Sequence, residues 1–214
     1  MRFEEMTTDD IRQIGPLCDT IVVAVGGPSY RPSHLPVGAT WYVLRRLRDF
    51  LEDQLSGRIL TLPVLNIDTL DDDDAITKIP DEAFATMIRS MMTELTRHIS
   101  VKYIVVIIES LHKEQVMKAA LSDHLKAGVH VLFFIWWRDG LQDLHVSHVP
   151  SSEVETSLVA AIAPRLVDMD QKSVQKYGAT LASSTHGQQY WAIVEQILKS
   201  QVEEQWRKQG FSLN

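Results

Sequence analysis

Cysteine is almost absent from this chain, and the one present, Cys18, has no partner for an internal disulfide and cannot build a zinc ribbon. That scarcity suits a reducing compartment, so a cytosolic protein is expected. Basic residues are also outnumbered, 21 Lys and Arg against 28 Asp and Glu, for a net charge of −7. A phosphate backbone therefore meets little long-range attraction, and no nucleic-acid partner is expected. The only local basic run, Arg45-Arg46-Leu47-Arg48, reads as a solvated helix face flanking an apolar stripe. No apolar stretch approaches membrane-spanning length, and Met1 to Glu5 carries acids where a signal peptide needs a basic and then an apolar run. Neither export nor membrane insertion is expected. Missing as well are a G-x-x-x-x-G-K-[ST] or G-x-G-x-x-G loop after a strand, and a histidine motif that would make Cys18 a nucleophile.

What is present is apolar patterning sufficient for one domain with a real core. Ile21 to Val25 is a β-branched run that stops at Gly26-Gly27-Pro28, as a buried strand does when it gives way to a loop. Trp41, Leu44, Leu47, Leu51 and Leu55 then recur at helical spacing from Gly38, closing at Ser56-Gly57. Arg58 to Leu65 supplies a second strand, followed by an acidic loop at Asp71 to Asp74 and a helix over Asp81 to Ile99. The four acids lack the alternating spacing and turn glycine of a calcium loop, so they read as solvated.

Tyr103 to Ile108 is a further strand, Glu114 to Ala127 a helix stopped by Gly128, and Val129 to Trp137 another buried strand. Ser152 and Glu155 form a capping-box pattern before a helix that Pro164 ends, and a last helix runs from about Gln188 to Lys208. No internal repeat or low-complexity linker interrupts the series. Apolar strands alternating with amphipathic helices imply an α/β domain over residues 1 to 214, with a mostly parallel sheet covered on both faces. Reactive groups in such folds lie beyond the carboxyl ends of the strands, here the loops after Val25, Leu65, Ile108 and Trp137.

Val25-Gly26-Gly27-Pro28-Ser29-Tyr30-Arg31-Pro32-Ser33-His34-Leu35-Pro36-Val37-Gly38-Ala39-Thr40 resembles the opening loop of the creatininase amidohydrolase family, a strand followed by G-S-x-E-Q-H-G-P-H-L-P-x-G-T-D. Glu153-Val154-Glu155-Thr156-Ser157 with Pro164-Arg165-Leu166-Val167 is similar to that family's H-A-G-E-x-E-T-S helix and downstream P-x-L-V. Between them, the strand before the family's N-G-H-G-G-N survives as Ile104 to Ile108, and the motif does not. The resemblance spans roughly Thr20 to Asp170 and implies the three-layer creatininase-like fold, a hydrolase-type site and a multimer, commonly a hexamer in that family. Trp191 and Trp206 are candidates for burial between subunits of such an assembly.

The family's two-metal centre draws on the E, H and D of the opening loop and the H of N-G-H, which fall in this register on Ser29, Arg31, Thr40 and Leu111. Hydroxyls bind divalent ions weakly, leucine not at all, and arginine repels them, so neither the metal pair nor another cofactor is expected. The remaining candidates are His34, Tyr30 and Glu153 for acid/base work, and Arg31, Ser29, Trp136, Glu109 and His148 for holding substrate, with His112 nearby. Each also has a structural reading: His34 as a loop histidine bonded to backbone, Arg31 as a surface residue, Glu153 and Glu155 as acids at a helix start, the Trp136-Trp137 pair as core packing. Two functions stay open: a metal-independent enzyme acting on a small polar amide, lactam or related nitrogen-containing metabolite, or a non-catalytic subunit that binds a ligand or stabilises a partner, including an active relative.

Overall fold

The structure, a computed structural model, describes residues 1–69, 75–142 and 151–208. Four parallel strands form the main sheet in the order β2-β1-β5-β6: β1 (Thr20–Ala24), β2 (Ile59–Thr61), β5 (Tyr103–Ile108) and β6 (His130–Ile135). A two-stranded parallel ribbon, β3 (Asp68–Thr69) with β4 (Lys78–Ile79), lies beyond them in sequence between β2 and β5. Because side chains alternate along a strand, β1 and β5 feed two cores. Val22, Ala24, Tyr103, Val105 and Ile107 face one side, with α2 (Ala39–Leu55), α7 (Glu153–Ile162) and α9 (Ser184–Lys208). Ile21, Val23, Ile104, Val106 and Ile108 face the other, with α3 (Asp81–Leu95) and α4 (Leu111–Ala120). The expected three layers of an α/β fold are thus built by period-two burial in the strands and period-3.6 burial in the helices.

This topology positions a crevice. The chain leaves β1 for α2 on one face and leaves β5 for α4 on the opposite face, although β1 and β5 are neighbours. The place where such loops part, beyond the carboxyl ends of the two strands, is the usual ligand position in open α/β sheets.

Several boundaries differ from the sequence reading, each for a local reason. The second strand stops at Thr61, two residues before Pro63, which has no N–H to give a ladder. The third helix ends at Leu95, capped by Thr96, rather than at Ile99. The fourth begins at Leu111, because the Ser110 hydroxyl caps it by accepting from the Lys113 N–H at 3.1 Å, and it breaks at Leu121 before α5 (Ser122–Lys126). The strand expected to reach Trp137 ends at Ile135, where α6 (Trp136–Asp139) starts. The last helix starts earlier, at Ser184.

Three further expectations are corrected. The arginine run is a solvated face only in part: Arg45 and Arg46 are exposed, Arg46 reaching Glu195 at 2.6 Å, but Arg48 is buried, bonded to Glu4, Asp49 and the Leu62 carbonyl. Trp191 and Trp206 are buried inside their own chain, their indole N–H groups donating to the Leu158 carbonyl and the Thr20 hydroxyl, so neither is left for a subunit contact. Ser152 is the N-cap residue of α7 but its hydroxyl makes no cap bond, and Glu155 reaches back to the N–H of Ser151 instead, at 2.5 Å. Among the described residues, no helix is long and apolar enough to cross a membrane.

Candidate functional site

The crevice begins at Gly26 and Gly27. Their amides donate to the Leu65 carbonyl at 3.0 Å and to Asp68 Oδ2 at 3.1 Å, which pins the end of β1 to the segment leading into β3. A Cβ at Gly26 would stand 2.4 Å from Leu44 and 2.9 Å from the Thr40 methyl, and one at Gly27 would stand 2.7 Å from Asp68 Oδ2. Glycine is required here by close approach, not by a special φ.

Arg31 turns inward from the loop after β1, its side chain only 9% exposed. Its Nη2 donates to the Thr40 hydroxyl at 2.8 Å and pairs with Glu155 Oε1 at 3.1 Å. Glu155 thereby has one oxygen on Arg31 and the other on the Ser151 amide. Ser151 sits at φ 66, a left-handed conformation that is rare and strained for a serine. Arg31 Nε is buried and has no hydrogen-bond partner among the described residues.

A second buried charge cluster adjoins the first. Lys113, on α4, places its ammonium between the carboxylates of Glu109 and Asp68. Burial pushes the Glu109 carboxyl above its usual range; Lys113 opposes that shift and the Asp68 charge adds to it. Burial also works against the Lys113 charge, but the two carboxylates outweigh it and hold the ammonium above its ordinary pKa. Glu109 Oε2 lies beside Gly26, 3.1 Å from where a Cβ would be, and like Arg31 Nε is buried without a hydrogen-bond partner among the described residues. The Trp137 indole donates to the Glu109 carbonyl at 2.7 Å.

The other candidates fall into separate places. Ser29 is buried at the crevice with its amide on the Val37 carbonyl, while Tyr30 is 68% exposed at the rim. His34 is fully buried: Nδ1 meets the Ser173 hydroxyl at 2.9 Å, and Nε2 meets the Ser151 carbonyl and the Thr156 hydroxyl, each at 3.2 Å. Burial lowers its pKa, against smaller raising effects of Ser151 and Glu155. Glu153 stands apart with Ser157, His186 and Tyr190. Trp136 packs into the core, and His112 bonds Asp81 at 2.8 Å at the start of α4. His148 and the Asp71 to Asp74 loop lie outside the described residues.

Sequence reasoning missed Asp68, Lys113 and Thr156, and of the Trp136-Trp137 pair it took Trp136 for the crevice where the structure has Trp137. Lys113 had a usable signal: it shares an apolar helical stripe with Val116, Met117 and Ala120, where a lysine is out of place unless paired. Asp68 had none.

The donor chemistry also tests a metal pair. Ser29, Arg31, Thr40 and Leu111 offer no carboxylate and no imidazole, and the guanidinium itself is directed onto Thr40. Among the described residues no three His, Cys, Asp or Glu side chains are grouped to hold a metal ion. These residues do not fit a dinuclear centre.

No family model matches the sequence, and no curated protein does. Solved structures do match. The chain is similar to a creatinine amidohydrolase (creatininase) structure with a TM-score of 0.74 at 17% identity, covering 95% of this chain and 97% of that one. A creatininase mutant complexed with creatine gives 0.75 at 15% identity, covering 95% and 98%. A mutant creatininase of Zn-Zn type gives 0.72 at 15%, covering 95% and 97%. At this identity the likeness is one of fold, and the fold is that of creatininase over nearly the whole chain, as the motif resemblance implied.

Proposed function

We propose that this chain, built on the creatininase fold, is a divergent single-domain member of that family that takes a small polar amide, lactam or related nitrogen-containing metabolite without the family's metal pair. The observation that carries this reading is a donor and an acceptor at the crevice that no described residue fills, Arg31 Nε and Glu109 Oε2. Buried polar groups are normally satisfied, and an amide supplies both missing partners, a carbonyl oxygen for Arg31 and an N–H for Glu109. Every other crevice contact named above joins protein to protein.

For hydrolysis, Glu109 is the base. Its raised pKa brings it toward the operating range of general bases, where it accepts a proton from water as the water oxygen attacks the amide carbon. Arg31 stabilises the oxygen that becomes negative, the C–N bond breaks, and the proton passes from Glu109 to the leaving nitrogen. His34, with both ring nitrogens engaged, acts as a positioning residue that ties the loop after β1 to Ser151 and Ser173. The same reading places the protein in the cytosol, consistent with its lone buried Cys18, as a homo-oligomer or beside an active relative.

One observation favours a second reading, a non-catalytic ligand-binding or partner subunit. The buried cations are already ion-paired and the imidazole of His34 has both ring nitrogens engaged, so the site, as far as the described residues build it, is made more for holding than for turnover. A panel of lactams, cyclic ureides and linear amides, assayed for turnover and by calorimetry with a chelator present, separates them. The enzyme reading expects chelator-resistant turnover, reduced roughly 10²- to 10⁴-fold in Glu109→Gln, with a raised KM in Arg31→Lys. Binding without turnover establishes the subunit reading, and activity lost to the chelator overturns the metal-free site.

A further inference from the structure

Lys113 is the most unusual charge in the molecule, an ammonium 1% exposed that enters the crevice from the apolar stripe of α4. Its two carboxylate partners come from different segments, Asp68 from β3 and Glu109 from the end of β5. Asp68 also takes the Gly27 amide, and Glu109 also abuts Gly26, so one cation holds together the chain leaving β1, the chain entering the ribbon and the chain leaving β5. Burying three charges for stability alone is a poor exchange, since apolar groups of similar volume usually do as well or better. Two carboxylates that converge on one enclosed point are, by contrast, the oxygen donors a divalent cation takes.

We infer that the Lys113 ammonium is a built-in cation: it occupies the point where Asp68 and Glu109 converge and thereby keeps divalent metal ions out of a pair of carboxylates that would otherwise bind one. Arg31 does the corresponding work at Thr40 and Glu155, on the other side of Gly26, so both clusters carry their positive charge on the chain itself. This holds whether the crevice turns over a substrate or only binds one.

The test uses the full chain, with Mn²⁺ and Zn²⁺ as probes. Wild type is expected to retain only traces of either ion after dialysis, and its Tm is expected to ignore them. Lys113→Met leaves the two carboxylates facing one another: in chelator its Tm falls, and with Mn²⁺ or Zn²⁺ it takes up a stoichiometric ion and its Tm climbs with metal concentration. Stoichiometric metal in wild type, or a Met variant that binds none, overturns the inference. Should Lys113→Met not fold in chelator, refolding with and without Mn²⁺ reads the same point, and recovery only with the ion supports the inference. The uncharged triple variant Asp68→Asn/Glu109→Gln/Lys113→Met is expected to fold without metal and to bind none; its failure to fold would show that the buried ion pairs themselves hold the fold, and would overturn the inference that Lys113 is there to keep metal out. Absence of small-molecule turnover or binding in wild type bears on the proposed function and leaves these metal readouts unchanged.

Discussion

The two ends of the sheet are both polar, but they are finished differently. At the amino ends of the strands, Arg58 lies over the Trp206 ring at 4.2 Å and near Tyr103 at 5.6 Å, and donates twice to Asp19, at 2.8 and 2.7 Å. Thr20 closes the group, donating to Asp19 and accepting from the Trp206 indole. At the carboxyl ends the charges are more deeply buried, yet Arg31 Nε and Glu109 Oε2 are left unfilled among the described residues. A polar cluster whose valences are used up internally has a sufficient explanation in the fold. One that is buried deeper and left incomplete among the described residues has room for a further partner, which is why the function is proposed at the carboxyl end.

The largest expected effect breaks that comparison if it fails. Glu155→Ala strips the buried counter-charge from Arg31 and the acceptor from the strained Ser151 amide together, and should cost about 3–5 kcal/mol. Asp19→Ala removes the same kind of arginine partner at the other end, but where both side chains are partly exposed, Arg58 at 23% and Asp19 at 15%. There the loss should be roughly 1 kcal/mol, the upper end for well-formed pairs near the surface. Denaturant unfolding of both variants gives the two numbers, and equal costs would mean that the two ends do not differ as argued.

Acid sharpens the comparison at smaller scale. The folded-state pKa of His34 is depressed by burial, so the unfolded chain takes up a proton that the folded chain refuses. Stability should therefore be complete above the ordinary histidine value, about 6.5, and fall as pH drops from there through the depressed folded pKa. His34→Gln should flatten that limb of a stability-against-pH curve. Unchanged steepness would show that His34 is protonated in place, which its contact with the Ser151 carbonyl would then have to accommodate.

Strand and helix periods were legible in the sequence because burial dictates them: Ile21 to Val25 and Tyr103 to Ile108 are apolar on both sides, as parallel central strands must be. The position of the crevice was legible too, since it follows from topology. What escaped was pairing across long separations. Nothing near Asp68 announces that it meets Lys113, and the Glu155 of a plausible capping box is diverted by an arginine 124 positions earlier in the chain, Arg31. Local patterns record what a residue suits; a buried ion pair depends on which segments the fold brings together. Trp136 and Trp137 show the same limit: the break into α6 at the end of β6 puts Trp136 in the core and lets the Trp137 indole donate to the Glu109 carbonyl.

The smallest expected effect concerns Glu153, a residue whose sequence position suggested catalysis and whose surroundings resemble the closed amino end. Its Oε1 receives Ser157 at 3.0 Å and meets His186 Nδ1 at 3.1 Å, and its Oε2 receives the Tyr190 hydroxyl at 2.9 Å. Burial first, and then the Glu153 carboxylate, push the Tyr190 phenol up to about 12. In the unfolded chain the phenol ionises near its ordinary value of about 10. Between those values the folded state holds a proton that the unfolded state has lost, so stability should decline as pH rises from about 10 to about 12, where the contribution is gone. Tyr190→Phe should remove that slope, and the difference in phenolate absorbance between wild type and variant should report one late-titrating tyrosine. If Glu153 serves the fold in this way, Tyr190→Phe costs a modest amount of stability and Glu153→Gln leaves any turnover within a few fold of wild type. If Glu153→Gln abolishes turnover while Tyr190 titrates at its ordinary value, Glu153 belongs with the unfinished end of the sheet, and the active crevice extends from β1 to the start of α7.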